Sequence, residues 1–326
     1  MLLHEFDVIT RYFSQTFPDR ADVIFGIGDD AALCIPPKGM QLAIAIDTLI
    51  AGVHFPQTTA PKDIGYKALA VNLSDMAAMG ATPAWMTLAL TCPPDTTENW
   101  LADFSSGLRE LAEDYQVSLI GGDTTTGPLT ITIQVTGFVP AQLALYRHGA
   151  QPGDGIYVTG TLGDAGLGLA SIQQQFSLPA LAQHQVESRL NRPTPRLQAG
   201  QALRGIANSA IDVSDGLVAD LGHILAASQV GASIYLDQLP LSTVLREQLS
   251  LESAWQLALS AGDDYELCFT VPQHQEKLLS KILRRDSYTR IGLIEASLGL
   301  RCFDANGQAF IPQIKGYQHQ FNLNSN

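Results

Sequence analysis

Apolar runs of strand length alternate with segments of helical spacing along nearly all of this 326-residue chain. That alternation restricts the fold more than any other feature, because elements of period 2 and period 3.6 bury their faces against one another in layers. "LLHEFDVITRYF" near the N-terminus has helical spacing, and "QLAIAI" (41–46) reads as a strand ending at Asp47. Pro61 opens a helix expected to run to about Met79, followed by the apolar strand "AWMTLAL" (84–90) and an amphipathic helix over 98–114 that closes before "VSLI". "LTITIQVTGF" (129–138) alternates strictly between apolar residues and Thr or Gln, the mark of a half-buried strand. Its polar face is free to meet water, a site or a partner sheet.

A Pro- and Gly-bearing stretch, "VPAQLALYRHGAQPGDG", marks a domain boundary around 140–154. The expected domains are therefore 1–140 and 150–326. In the second, strands are expected at 155–159, before Asp212, at "ASIYL", near 265–271 and over 288–294. Helices are expected from about 164, near 195–206 and from 216. The fold class is α/β or α+β. The last residues, "FNLNSN", read as a frayed tail.

Composition narrows the function. Hydrophobic residues make up 46% and charged residues 16%, enough apolar material for a large core. The formal net charge is −13, from 19 Lys+Arg against 32 Asp+Glu, which argues against a nucleic-acid or anionic-membrane surface. A phosphate-handling chain this poor in bases needs metal ions to offset charge. Cys34, Cys92, Cys268 and Cys302 are scattered without CxxC spacing and read as reduced thiols. The N-terminus lacks the pattern of a signal peptide, and no apolar run approaches the ~18 residues of a membrane span. A cytoplasmic protein is expected.

The informative residues are aspartates at the ends of apolar elements. Asp30 follows the glycine turn of "FGIGDDAAL", beside Asp29, and Asp47 closes "LAIAI". Asp75 sits inside the apolar helical run "KALAVNLSDMAAMGA", on the face of Asn72. Asp123 follows "SLIGG", read as a buried strand and glycine turn, Asp212 and Asp215 bracket "DVSDGL", and Asp263 and Asp264 follow "LALSAG". Any one of these serves as a cap or turn residue. Together they suggest carboxylates gathered at a sheet edge, where they repel unless a cation joins them. Hard oxygen ligands select Mg²⁺, Mn²⁺ or Ca²⁺, and several such ions suit the handling of a polyphosphate. The glycines before Asp30 and Asp123 are expected to let backbone approach phosphate.

Other nucleotide and hydrolase signatures are absent. No G-x-x-x-x-G-K-[ST], G-x-S-x-G or H-E-x-x-H occurs. The glycine-rich "YVTGTLGDAGLGLA" (157–170) lacks a G-x-G start and an acid-terminated strand about 20 residues on, so tight strand–helix packing accounts for it better than a dinucleotide site.

"GIGDDAA", "DTLIAGVHF", "KALAVNLSDMAAMGATP", "GGDTT", "DVSDGL" and "AGDDYELCF" occur in an order and spacing that resembles the thiamine-monophosphate kinases, relatives of aminoimidazole ribonucleotide synthetase and selenophosphate synthetase. The likeness runs from about residue 3 to 321. It implies an N-terminal α/β domain whose sheet pairs with that of a second subunit, a C-terminal α+β domain, and hence a homodimer. It implies Mg²⁺-dependent direct transfer of the ATP γ-phosphate to thiamine monophosphate, with several Mg²⁺ ions. By position, Asp30, Asp47, Asp75, Asp123, Asp212 and Asp215 resemble the metal ligands, with Asp30, Asp75 and Asp212 carrying the catalytic weight. Gly122, Asp123, Arg147 and Ser214 resemble nucleotide-site residues. His54, Asp263 and Tyr317 resemble the substrate site, Tyr317 being able to stack on a cationic thiazolium.

The chain departs from that pattern in places. Ile46, preceded by Ala45, stands where relatives often carry a hydroxyl residue, and Thr126 where a basic residue is frequent. Asp263 replaces a frequent Glu, and Tyr317 a frequent Trp. Two alternatives stand beside the kinase reading: a related ATP-dependent synthetase, and a non-catalytic nucleotide- or metal-binding regulator.

Overall fold

A computed structural model of the chain describes residues 5–14, 17–284, 287–313 and 316–317. The first residues of the N-terminal helical segment and the tail expected over 321–326 lie outside the described residues. By backbone contacts the chain divides into unit 1, Met1–Leu145 with Asn191–Gly205, and unit 2, Tyr146–Leu190 with Ile206–Asn326.

Unit 1 begins with α1 (Glu5–Val8), which runs directly into a π-helical turn, Ile9–Phe13. Two short antiparallel strands follow, β1 (Val23–Phe25) and β2 (Leu33–Cys34), joined by the glycine–aspartate loop. Then come β3 (Met40–Ile50), α2 (Pro61–Ala78), β4 (Thr82–Cys92), α3 (Glu98–Tyr115), β5 (Ser118–Thr126) and β6 (Thr130–Pro140). The sheet order is β3-β6-β4-β5, antiparallel except for β4 with β5. Pro61 stands at the start of α2, where its missing N–H costs nothing. Thr97 caps α3, its hydroxyl accepting the Trp100 N–H at 3.2 Å. α2 is buried on almost every side, with Leu69, Leu73 and Ala77 and even the polar Asn72 and Ser74 shielded from water.

Two expectations about strand ends are corrected here. β3 does not stop at Asp47: its ladder with β6 continues through Asp47 opposite Ile133 to Ile50 opposite Thr130. Asp47 is therefore a mid-strand residue, half-buried between the inward Ala43 and Leu49. Gly121 and Gly122 do not form a turn before Asp123. All three lie inside β5, paired with β4 from Thr87 to Ala89. A side chain on Gly122 would place its Cβ 1.9 Å from the Leu88 carbonyl oxygen, so that glycine answers to the neighbouring strand.

The outward face of this sheet is of mixed character. Leu42, Ile44 and Ile46 of β3 are 50%, 62% and 64% exposed. They sit opposite Phe138, Thr136 and Gln134, the alternating face that the sequence marked in β6. At one end of the face Trp85 packs edge-on against Phe138, ring centroids 5.0 Å apart, with Val23 and Cys34 of β1 and β2 over them. The Trp85 indole N–H donates to Asp22 at 3.1 Å, and Asp22 also pairs with Arg20 at 2.7 Å. With the Ile35 N–H donating to the Asp22 carbonyl at 2.8 Å, that clamp fixes the base of the β1–β2 hairpin to the sheet.

Unit 2 carries β7 (Gly155–Thr159), α4 (Asp164–Ile172), α5 (Ala180–Asn191), β8 (Ser209–Asp212), α7 (Leu217–Ser228) and β9 (Gly231–Tyr235). After these come α8 (Thr243–Gln248), α9 (Leu251–Ser260), β10 (Leu267–Val271), α10 (Glu276–Ile282), β11 (Tyr288–Glu295), β12 (Gly299–Phe303) and β13 (Ala309–Phe310). The intervening α6 (Leu197–Ala202) belongs to unit 1. The seven strands are ordered β13-β12-β9-β11-β7-β10-β8, and only β9 with β12 is parallel. Ile156, Val158, Ile211, Leu221 and Ile234 join one buried cluster between sheet and helices. β7 lies between antiparallel neighbours, so the strand–glycine–helix stretch over 157–170 is not the opening of a doubly wound parallel sheet.

The role given to Gly122 is directly testable. Gly122→Ala is expected to destabilise the chain by about 1–3 kcal/mol through overpacking against β4, whereas nothing stands within 4 Å of a Cβ built on Gly121. Thermal unfolding should show a clear fall in Tm for Gly122→Ala and little change for Gly121→Ala.

Candidate active site

In unit 1 the clamped β1–β2 loop overhangs the strand that carries Asp123. A cavity of about 590 Å³ is lined by Gly28, Asp29 and Asp30 from the loop and by Gly121, Gly122 and Asp123 from β5. Ile9, Phe13 and Ile120 close its apolar side. Two of the expected acids, Asp30 and Asp123, thus share one cavity. Asp29 acts locally, since its Oδ1 accepts the Asp30 N–H at 2.9 Å and holds the turn. Asp47 on β3 and Asp75 on α2 are both half-buried and are not among the cavity's lining residues.

His54 lies in the turn after β3, where its Nδ1 accepts the Ile50 N–H at 2.9 Å. This engages one ring nitrogen and orients the imidazole with Nε2 as the protonated nitrogen in the neutral form. Arg147 is exposed in the segment entering unit 2.

In unit 2 the acids gather around the loop "DVSDG" between β8 and α7. Asp212 ends β8 and is buried, while Ser214 and Asp215 are half-buried on the loop. The Ser214 carbonyl accepts the Asp263 N–H at 2.8 Å, and the Asp215 carbonyl accepts the Tyr317 N–H at 3.0 Å. The structure therefore brings Asp215, Asp263 and Tyr317 together, though 102 residues separate the first from the last. Asp263 holds φ +59° and Tyr265 φ +50°, unusual for residues with a side chain, and Gly262 turns against the Ser214 carbonyl at φ +75°.

Three buried acids beneath these loops went unassigned in the sequence. Asp220 in α7 is 3% exposed, and its Oδ2 accepts the N–H groups of Ser214, Asp215 and Gly216 at 3.0, 3.0 and 3.1 Å. Burial, then the neighbouring Asp212 and Asp215 carboxylates, push its pKa up to about 7, against the pull of the backbone N–H groups. Both oxygens of Asp264 accept the Gly163 N–H, at 2.9 and 3.0 Å, so the glycine turn of 160–163 is filled by the chain's own carboxylate. Burial raises Asp264 well above the ordinary carboxylate range. Glu266 is fully buried, accepting from the Thr159 hydroxyl at 2.6 Å and pairing with Arg189 at 2.8 Å. The signal for Asp220 was available: like Asp75, it is an acid inside an apolar helical run.

The donor chemistry bears on whether a metal fits. Among the described residues no group of three or more His, Cys, Asp or Glu side chains stands ready to hold an ion by itself. Every candidate offers carboxylate oxygen, which suits a Mg²⁺ ion that takes one or two carboxylates and completes its shell with substrate phosphates and water. The residues fit Mg²⁺ arriving with a polyphosphate rather than a resident ion in a closed cage.

Residues 28–139 match the family model for the AIR synthase related protein, N-terminal domain, and 151–304 that for its C-terminal domain. The class is thus that of AIR synthase-related proteins with both domains in order. The thiamine-monophosphate kinase of Escherichia coli (strain K12) is 50% identical over 323 residues, 98% of this chain and 99% of that protein. The crystal structure of thiamine-monophosphate kinase from Stenotrophomonas maltophilia K279a matches with a TM-score of 0.83 and 47% identity over 90% of this chain and 93% of that one. AaThiL complexed with AMPPCP and TMP matches at 0.78 and 30% identity, covering 90% and 92%. This chain belongs to the thiamine-monophosphate kinase family.

The raised pKa of Asp264 has a definite sign. In the unfolded chain its carboxyl loses its proton near 3.8, whereas in the fold it keeps it to higher pH. Above about pH 4 the unfolded state binds fewer protons, so this group's contribution to stability falls as pH rises. The difference in Tm between the natural chain and Asp264→Asn should therefore shift against the natural chain from pH 4.5 to 7.5. A difference independent of pH would contradict the assignment.

Proposed function

We infer that this chain is a thiamine-monophosphate kinase, transferring the γ-phosphoryl group of ATP to the phosphate of thiamine monophosphate to give thiamine diphosphate and ADP. The observation that carries the reading is the cavity shared by Asp30, Asp123 and the Gly121–Gly122 backbone, in a chain 50% identical to such a kinase over nearly its full length. A related protein of this fold has been solved with AMPPCP and TMP together.

The attacking phosphate oxygen is already anionic, so the chain need not supply a strong base. It has instead to hold two anionic substrates in line and offset their mutual repulsion. With 19 basic residues against 32 acidic ones, the protein itself supplies little positive charge. We propose that Asp30, Asp47, Asp75 and Asp123 of unit 1, and Asp212 and Asp215 of unit 2, hold Mg²⁺. Mg²⁺ held by these carboxylates would supply the positive charge that offsets the charge developing on the transferred phosphoryl group. Asp30, Asp75 and Asp212 are proposed as the residues on which turnover depends most. Gly122, Asp123, Arg147 and Ser214 are proposed for the nucleotide, and His54, Asp263 and Tyr317 for thiamine monophosphate. Support for the last group is the hydrogen bonding that joins Asp263 and Tyr317 to the Ser214–Asp215 backbone. With its Nδ1 engaged by Ile50, His54 presents Nε2 as the nitrogen suited to donate to phosphate.

A homodimer is proposed through the outward face of the unit 1 sheet. An edge strand carrying Leu42, Ile44 and Ile46, each half or more exposed, is a liability unless another surface covers it. A cytoplasmic setting is proposed on the four free cysteines, and among the described residues no helix is long and apolar enough to cross a membrane.

Purified protein given ATP, Mg²⁺ and thiamine monophosphate should form thiamine diphosphate, and EDTA should abolish the activity. Asp75→Asn and Asp212→Asn should each lower kcat by on the order of 100-fold or more while the far-UV spectrum is kept, the scale for losing one charge-positioning group. Folded protein that binds ATP yet makes no thiamine diphosphate would sink the kinase reading. Unchanged turnover in both variants would sink the site assignment. In light scattering, Ile44→Asp should halve the mass of the natural assembly.

A further inference from the structure

We propose that Asp220 is a positioning residue that sets the metal end and the thiamine end of the site at once, through the backbone of residues 214–216. The proposal rests on the kinase reading and adds a residue to it. Asp220 is 3% exposed and lies in the first turn and a half of α7, so its carboxylate cannot itself reach a ligand in solvent. Its Oδ2 takes the N–H groups of Ser214, Asp215 and Gly216, three in a row. Successive N–H groups converging on one anion form a backbone nest, the device that elsewhere cradles phosphate. Here the chain's own carboxylate fills it. Gly216 precedes the helix at φ +116° with no capping side chain, so Asp220 also serves as a cap from inside the helix.

The consequence lies on the other side of the loop. With its N–H groups turned toward Asp220, the loop directs the carbonyls of Ser214 and Asp215 to the Asp263 N–H at 2.8 Å and the Tyr317 N–H at 3.0 Å. The same loop carries the Ser214 and Asp215 side chains, and Asp212 ends the strand that feeds it. One buried carboxylate thereby fixes the backbone from which two metal-ligand candidates, a nucleotide residue and both thiamine-end residues take their positions. Gly262 brings its backbone against the same loop, so close that a Cβ there would meet the Ser214 carbonyl oxygen at 2.5 Å. The proposal therefore expects the three segments to open together.

Hydrogen exchange on the full-length protein, read by mass spectrometry, tests this without relying on activity. In the natural chain under mild urea, peptides covering 213–217 and 262–265 and the peptide bearing Tyr317 should open in one common step, separate from the rest of α7. Asp220→Asn keeps the shape but weakens the acceptor. It should raise exchange at least tenfold in all three peptides and leave the rest of α7 and β10 protected. It should also raise both the KM for thiamine monophosphate and the Mg²⁺ concentration for half activity at least tenfold. Asp164→Asn, at an equally buried acid that accepts from the Ser242 and Thr161 hydroxyls away from this loop, should lower stability without either effect. Independent opening of the three peptides in the natural chain overturns the proposal, and this arm holds even if the variants do not fold. Exchange confined to 213–217 in Asp220→Asn, or an unmoved KM and Mg²⁺ requirement, also overturns it. If the natural chain makes no thiamine diphosphate, the kinase reading falls while the exchange result still decides the claim about the loops.

Discussion

Carboxylates brought near one another must be kept apart, protonated or joined by a cation, and this chain is organised around that constraint. Its acids fall into two kinds. Some, such as Asp30 and Asp123, stand at an open cavity where incoming charge can reach them. Others, Asp220, Asp264 and Glu266, are buried and occupied by N–H, hydroxyl or guanidinium groups of the same chain. Of the second kind, Asp220 holds the unit 2 loop that carries Ser214 and Asp215. A buried acid with three N–H donors is a rigid support, because leaving those donors or that carboxylate unpaired carries the full cost of desolvation.

The sheet of unit 1 serves the same end by different means. Its helices cover one face, leaving the other to the β1–β2 loop at one end and to exposed Leu42, Ile44 and Ile46 at the edge. The Trp85–Asp22–Arg20 clamp holds the base of that hairpin on the sheet. The Arg20 hydrogen bond, with help from the Trp85 indole, holds the Asp22 carboxyl below its ordinary pKa despite partial burial, so the clamp is a charged one.

Much of the architecture was legible locally. Pro61 and the helical run behind it predicted α2, and the strict alternation of 129–138 predicted β6, because helix starts and half-buried strands leave period and capping signals within a few residues. The errors fell where a distant partner decides. The apolar run of β3 breaks at Asp47 and Thr48, yet the ladder with β6 carries the strand on to Ile50. Gly121–Gly122 read as a turn, but Gly122 is required by the Leu88 carbonyl of the adjacent strand. The local pattern likewise leaves Asp220 and Glu266 unmarked and gives Asp264 no partner: the partners of Asp264 and Glu266 lie on segments distant in the chain, and those of Asp220 on a loop whose folding that pattern does not describe.

The sequence by itself determined the principal strands and helices of each unit and their order, and it singled out the acids proposed for a polyphosphate and Mg²⁺, since hydrophobic period and motif spacing are local properties. Only the tertiary structure decided which of those acids share a cavity and which are consumed in holding backbone. It decided also that "FGIGDDAAL" is a clamped loop facing Asp123, with Asp29 bracing the turn and Asp30 at the cavity. Pairing across a sheet and the filling of a backbone nest join residues far apart in the chain, and no window of sequence contains both partners.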